Sequence, residues 1–352
     1  MFYPKTYHNP HRGYFSLCSD AVCVNVLEQT LQSDTLKTTG LFGSAAALVG
    51  NELFIGEYLA NSGATAAGEV HYYTRPDADS DFTRQSGFHA PSVSGGMQFG
   101  FGLAYDGTTL AVGAPNDGAG GKVYIYTWDG SAWSHDQTIT SGHYTSPPSN
   151  VDIRFGVDIS ISGDHMLIGV PDAFDGVTEN GFVEYWELSG GTWSFTEKVD
   201  ITSGVGGYNP NAGQGVCFLD DSTAFVTYND SSSKKQVRKI TRSGSSWSQD
   251  GGFDSGYLAA DASFATLDSD GTNIVLGLEV FDNGPGGSLN GGAAFVFDDT
   301  GKQIGGVVGK VNGVRSGFGV AIDGKEIVVG SPFDDPSSTS NAGTAALWTV
   351  CI

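Results

Sequence analysis

The stretch Phe101-Gly102-Leu103-Ala104-Tyr105-Asp106-Gly107-Thr108-Thr109-Leu110-Ala111-Val112-Gly113-Ala114-Pro115 decides the fold. A Phe-Gly pair leads into a short apolar segment, an Asp-Gly turn and an apolar run that ends in Gly-Ala-Pro. Phe318-Gly319 to Gly330-Ser331-Pro332 repeats it at the same spacing. Phe155-Gly156 to Gly169-Val170-Pro171 repeats it with a turn that reads two residues longer. Phe42-Gly43 runs to Gly56, Phe264-Ala265 to Gly277, and the weakest copy from Gln214-Gly215 to Thr227. Six such copies define a repeat architecture, in which each unit buries its apolar face against the next.

Working outward from the second copy, Asp106-Gly107 is a hairpin signal. Leu110 to Gly113 is a continuous apolar run, as in a strand buried on both faces. After the loop Asn116 to Gly121, Lys122 to Trp128 alternates β-branched and aromatic residues. The turn Asp129-Gly130-Ser131 leads to a more polar strand, Trp133 to Thr140. Four antiparallel strands in about 55 residues are the unit of a β-propeller blade. The segments Gly181 to Leu188 with Trp193, and Gly292 to Asp298, follow the same plan. The last copy stops after its third strand, at Ala345 to Ile352, and Val22 to Leu31 resembles a missing fourth strand. The expectation is therefore an all-β, six-bladed β-propeller of four-stranded antiparallel blades, with seven blades as the alternative. Residues 1–21 form an N-terminal tail, 22–352 a single domain, and strand 22–31 completes the last blade. Such closure removes exposed sheet edges.

The 352 residues include 52 Gly, and 12% are aromatic, which suits an all-β chain. A net charge of −22 argues against nucleic acid or an anionic membrane as partner. No apolar run reaches membrane-spanning length. The start, Met1-Phe2-Tyr3-Pro4, lacks the basic-then-apolar pattern of a signal peptide. The expected location is extracellular, at a cell surface or a virion surface. Aligning the chain ends on the second copy places Cys351 and Cys23 on either side of the turn that the last blade lacks. A Cys23–Cys351 disulfide would replace that turn, with Cys18 as a competing partner and four reduced cysteines as the alternative. Cys217 is expected to be a buried free thiol.

These motifs resemble the FG-GAP repeats of integrin α-subunit propellers and of many secreted and surface proteins, over residues 41–352. The resemblance implies a propeller used for adhesion or ligand recognition. The family often carries Asp-x-Asp-x-Asp-Gly-x-x-Asp between the first and second strands, where it binds Ca²⁺. Here the turns are shorter: Asp106-Gly107, Ser162-Gly163-Asp164, Asp220-Asp221 and Asp323-Gly324. Asp268, Asp270 and Asn273 retain part of the pattern and are the metal candidates. Ordinary Asp-Gly turn chemistry is the competing account. No other cofactor is expected.

The fold resemblance also implies that the loops between strands two and three share a face with the inter-blade loops. The first set carries Asp117, Asp172, Asp175, Asp282, Asp334 and Asp335, read as an acidic rim or as turn formers. The second repeats a Gly-aromatic signature with Phe88 and His89, His143 and Tyr144, Tyr208, and Tyr257. These rings are either platforms for a sugar or peptide, or packing against the next blade. Trp133, Trp193 and Trp247 recur at one position and are read as structural. Lys234, Lys235, Arg238, Lys239 and Arg242 hold five of the seventeen basic residues. They read as a solvated outer face, or as a contact for a sulfated glycan or an acidic subunit. No Gly-x-Ser-x-Gly, His-Glu-x-x-His, Walker or Cys-x-x-Cys motif is found. The leading expectation is a non-enzymatic recognition propeller for a surface glycan or protein ligand. The alternatives are a structural decoration among neighbouring subunits of a viral particle, and a carbohydrate- or lipid-active enzyme with a carboxylate site.

Overall fold

The computed structural model describes residues 25–144, 153–173, 181–201, 211–230, 234–253, 264–281, 290–309 and 311–352. The described residues open with β1 (Val26–Leu31). Blade 1 follows as β2 (Phe42–Val49), β3 (Glu52–Glu57), β4 (Glu69–Thr74) and β5 (Thr83–Phe88). Blade 2 is β6 (Leu103–Tyr105), β7 (Thr109–Ala114), β8 (Lys122–Trp128) and β9 (Trp133–Ile139). Blade 3 is β10 (Ile159–Ser162), β11 (His165–Val170), β12 (Phe182–Ser189) and β13 (Thr192–Asp200). Blade 4 is β14 (Val216–Asp220), β15 (Thr223–Asn229), β16 (Lys235–Ser243) and β17 (Ser246–Phe253). Blade 5 is β18 (Ala265–Ser269), β19 (Asn273–Leu278), β20 (Ala293–Asp298) and β21 (Gln303–Val308). Blade 6 has β22 (Val320–Asp323), β23 (Glu326–Ser331) and β24 (Thr344–Thr349).

The protein is an all-β, six-bladed propeller. Five sheets use consecutive strands; the sixth runs β22, β23, β24, β1. β1 pairs antiparallel with β24, Val26 opposite Thr349 and Leu31 opposite Ala345. The first strands β2, β6, β10, β14, β18 and β22 touch in cyclic order around the axis. The ring is thus closed by its two chain ends, and β22 has a partner blade on both sides.

Why the signature contains glycine is visible at the seams. In blades 1, 2, 3, 5 and 6, a Cβ on Gly56, Gly113, Gly169, Gly277 or Gly330 would fall under 3.0 Å from the carbonyl oxygen of Gly100, Gly156, Gly213, Gly317 or Gly43 in the following blade. Those acceptor glycines are left-handed, with φ between +86° and +90°. Each of these five blades therefore docks its second strand, without side chain, onto the left-handed glycine turn of its neighbour.

The register of these turns corrects the reading of the third copy. Gly100 N donates to Gly113 O, and Gly156 N donates to Gly169 O; Gly113 N donates to Gly102 O, and Gly169 N donates to Asp158 O. Phe155-Gly156 is therefore equivalent to Phe99-Gly100, and Phe101-Gly102 to Val157-Asp158. The third turn is not longer; blade 2 has two Phe-Gly pairs in tandem, and only the first matches.

Blade 4 builds its seam differently, which explains its poor signature. Thr227 stands where the other second strands have the docking glycine, and Thr227 Oγ1 accepts from Gly215 N at 2.7 Å. Lys235 stands at the position that Gly68, Gly121, Gly181, Gly292 and Gly343 hold just before the third strands of the other blades. Its side chain is buried, and Nζ donates to Gln214 Oε1. The basic run is thus not one solvated face: Lys235 points inward, Arg238 stacks on Tyr228, and Arg242 lies over Tyr185 with a bond to Asp221 O. Burial pushes the Lys235 ammonium down to about 7, against the attraction of Glu279 and Asp172.

The core lies between blades. Phe54 and Tyr72 of blade 1 share one cluster with Leu110, Val112, Tyr124 and Tyr126 of blade 2. Outer-strand tryptophans wedge against the preceding blade: Trp133 meets Phe54 edge-on at 5.2 Å, and Trp247 meets Tyr185 at 5.6 Å. Cys217 is a buried free thiol. Cys351 is disulfide-bonded; both candidate partners, Cys18 and Cys23, lie outside the described residues.

Candidate functional site

Consecutive antiparallel strands place the turns between strands one and two, and three and four, on one face. The loops between strands two and three share the other face with the inter-blade connections. On that second face the axis opens into a funnel of about 460 Å³.

The funnel floor is aromatic. Phe101, Phe264 and Phe318 come from the start of three first strands, and Val157 occupies the same place in blade 3. Phe264 stacks on Phe318 with ring centroids 5.0 Å apart, and Phe101 meets both edge-on at 5.6 and 6.0 Å. Tyr58 and Phe333, from two strand-two-to-three loops, extend the floor. Burial pushes the Tyr58 phenol up to about 12, helped by the charge of Glu279. The rings plug the axis, and Phe101 also lines a second cavity on the far side.

The funnel wall is polar and carries Gln98, Asn116, Arg154, Gln214, Glu279 and Arg315. Gln98, Arg154 and Arg315 occupy one pseudo-symmetric position, two residues before the left-handed glycine, as do Leu41 and Asn211. All five have left-handed backbones, φ between +53° and +64°. A non-glycine residue held there costs roughly 1–2 kcal/mol. At three of the five positions, Gln98, Arg154 and Arg315, the side chain lines the funnel. Arg154 lies over the Phe101 ring at 5.2 Å and contacts Asp172 at 3.4 Å. Arg315 lies over Phe333 at 4.5 Å and pairs with Glu279 at 3.1 Å. Two guanidinium groups, each stacked on a ring and held by one carboxylate, make a mouth with an apolar floor and cationic forks.

The acids named from the sequence sit in different settings. Asp117 is buried and accepts from Tyr124 Oη, with Lys122 at 3.1 Å. Asp334 accepts from Thr344 Oγ1 at 2.9 Å, and Asp335 accepts from Asn341 N at 2.6 Å. These three stabilise their own loops. Asp172, through Arg154, reaches the funnel wall. Asp175 and Asp282 lie outside the described residues, as do Tyr208 and Tyr257.

The described inter-blade aromatics pack sideways. Phe88 meets Tyr126 of blade 2 at 5.1 Å, and Tyr126 Oη donates to His89 O. His143 and Tyr144 flank Phe182 of blade 3 at 5.3 and 5.9 Å. Their loop is pinned by buried Glu184, which accepts from Ser141 Oγ, Gly142 N and Trp186 Nε1. Burial and nearby Lys198 hold the His143 imidazole below its ordinary range.

On the opposite face, Asp270 Oδ1 accepts from Thr272 N and Asn273 N, and its Oδ2 accepts from Gly324 N of the next blade. Asp268 Oδ2 accepts from Ile322 N. The oxygens of this turn thus face N–H donors and tie blade 5 to blade 6. A cavity of about 240 Å³ on the axis there is lined by Asp158, Asp268, Ser44 and Ser160 among others. Burial pushes Asp158 well above the carboxylate range and Asp268 up to about 7, against bonds from Val216 N and Ile322 N respectively.

The FG-GAP repeat family model matches residues 82–126. The match begins just before the outer strand of blade 1 and ends within the third strand of blade 2. Together with the six blades it fits an FG-GAP, integrin α-like propeller. No curated protein matches the chain. Propellers of this type are typically extracellular, non-catalytic binding or adhesion domains, and no helix among the described residues is long and apolar enough to cross a membrane.

Sequence reasoning did not find Arg154, Arg315, Glu279 or Gln98. The signal lay in the repeat itself: aligned on the left-handed glycine, Gln98, Arg154 and Arg315 share the position two residues earlier.

Proposed function

We propose that the chain is a non-enzymatic recognition propeller, displayed outside the cell on a cell or virion surface, that takes a glycan or protein ligand at the axial funnel. The observation that carries this reading is the funnel's construction: an aromatic floor with two ring-stacked arginines at its wall. A mouth of about 460 Å³ falls within the usual size of ligand pockets. Flat rings accept a sugar face or an apolar side chain, while guanidinium forks match carboxylate or sulfate.

Glycan-array and cell-surface binding by the purified chain test it. Arg315→Ala and Phe333→Ala should each weaken binding by at least about ten-fold, the loss expected for one buried contact. Asp299→Asn, on the opposite face, should leave binding unchanged. Absence of any ligand, or undiminished binding by both funnel variants, would sink the reading.

The same extracellular setting supports a Cys23–Cys351 disulfide. Peptide mapping without reductant should recover that linked pair; Cys351 joined to Cys18 instead would overturn the assignment.

A further inference from the structure

Away from the funnel floor, three donor side chains of blade 1 converge. Glu57 ends β3, and Glu69 and His71 open β4. Their nearest ligand atoms all lie within 4.8 Å of one another. Glu57 is fully buried and His71 is 1% exposed.

Lys37 and Arg84 flank Glu69, at 2.9 Å from Oε2 and 3.5 Å from Oε1, but the hydrogen bonds leave one oxygen of Glu57 unpartnered. Arg84 Nε donates to His71 Nδ1 at 3.3 Å, so the imidazole proton sits on Nε2. Nε2 then donates to Glu57 Oε2 at 2.8 Å. The second carboxylate oxygen, Glu57 Oε1, is buried and accepts no hydrogen bond among the described residues. A buried carboxylate with one neutral donor and one orphan oxygen is costly unless a cation completes it. Gly40 packs directly on Oε1, where a Cβ would collide with it. Glu69 is already oriented, accepting from Ser62 Oγ at 2.6 Å and Lys37 Nζ at 2.9 Å.

We infer that Glu57, Glu69 and His71 form a binding site for a divalent first-row transition-metal ion such as Zn²⁺. One imidazole and two carboxylates at this separation suit Zn²⁺ with ligand distances near 2.0–2.2 Å, whereas Ca²⁺ and Mg²⁺ prefer all-oxygen sets. On binding, the neutral imidazole moves its proton from Nε2 to Nδ1, and Nε2 ligates the metal. Arg84 must then leave Nδ1. Asp34, already 2.6 Å from Arg84 Nη1 near the solvent, gives the guanidinium a partner it can keep when it swings away. An ion held by these three side chains would tie the end of β3 to the start of β4. This site is independent of the funnel.

The test is a titration of chelator-stripped full chain with Zn²⁺, followed by calorimetry and by competition with a chromogenic chelator. One equivalent of Zn²⁺ should bind per chain and raise the melting midpoint. Glu69→Gln and His71→Gln should each weaken binding more than about ten-fold. Glu69 is partly exposed, so its variant keeps the fold, verified by circular dichroism, even if the His71 variant does not. Asp270→Asn, in the opposite-face turn, should bind as the parent does. No stoichiometric binding by the folded parent, or full-affinity binding by folded Glu69→Gln, would overturn the site.

Discussion

Gly330→Ala will break the ring at the seam its chain ends close. Gly330 packs its Cα onto Gly43 O of blade 1, and an added Cβ would overlap that oxygen and lie near Gly43 Cα. Both partners are backbone, so neither can rotate away. Relief requires blades 6 and 1 to separate, which would expose Phe42, Ala345 and Leu347 in their shared cluster. A clash of this kind belongs to the rare class costing about 4 kcal/mol or more. Thermal unfolding should show a midpoint lower by roughly 10 °C, or no folded product. Gly324→Ala is the comparison. Gly324 has φ +60° and nothing within 4 Å of its would-be Cβ, so only left-handed strain of about 1 kcal/mol is expected. Equal losses in the two variants would show that seam contact is not what selects Gly330.

Asp268→Asn will stabilise the protein above neutral pH. Asp268 is partly buried on the axial cavity, and desolvation raises its carboxyl from 3.8 to about 7. The folded state thus holds this proton more tightly than the unfolded chain does. Below pH 4 both states are protonated and the side chain carries no charge penalty. Between pH 4 and 7 the unfolded chain ionises first, so stability falls as pH rises. Above pH 7 the penalty is constant, with a ceiling of about 4 kcal/mol from the size of the shift. Asn keeps an oxygen for the bond from Ile322 N and removes the charge. Denaturant melts should show the variant equal to the parent near pH 4 and more stable by roughly 2–4 kcal/mol at pH 8. A constant difference across that window would mean that Asp268 is not the titrating group. Asp158 is raised partly by the charge of Asp268, so the corresponding double variant should gain less than the sum.

Much of the fold was legible in the chain. Alternation in Lys122 to Trp128, the continuous run Leu110 to Gly113 and the Asp106-Gly107 turn set one blade, because strand pairing and turn type follow from local residues. The truncated last copy and the segment Val22 to Leu31 revealed the closure, because a blade short of one strand leaves an edge to be filled. The site was far less legible. Asp117 and Asp334 looked like rim acids, but the side chains that satisfy them, Tyr124 and Thr344, arrive from the third strand. Phe88 and Tyr144 looked like platforms, yet whether a ring faces a ligand or Tyr126 and Phe182 depends on how blades lean together.

The sequence by itself determined the repeat, the strand order, the closing strand and the need for glycine in each signature. These are local or periodic properties, fixed by side-chain alternation and backbone freedom. Only the tertiary structure decided which Phe-Gly pair is equivalent to which, since that register is set by hydrogen bonds across the first hairpin. It alone brought Arg154 and Arg315 to one funnel and set Glu57 Oε1 beside Gly40 without a donor. Residues far apart in the chain meet there because the ring closes, and no local rule records which side chains closure will bring together.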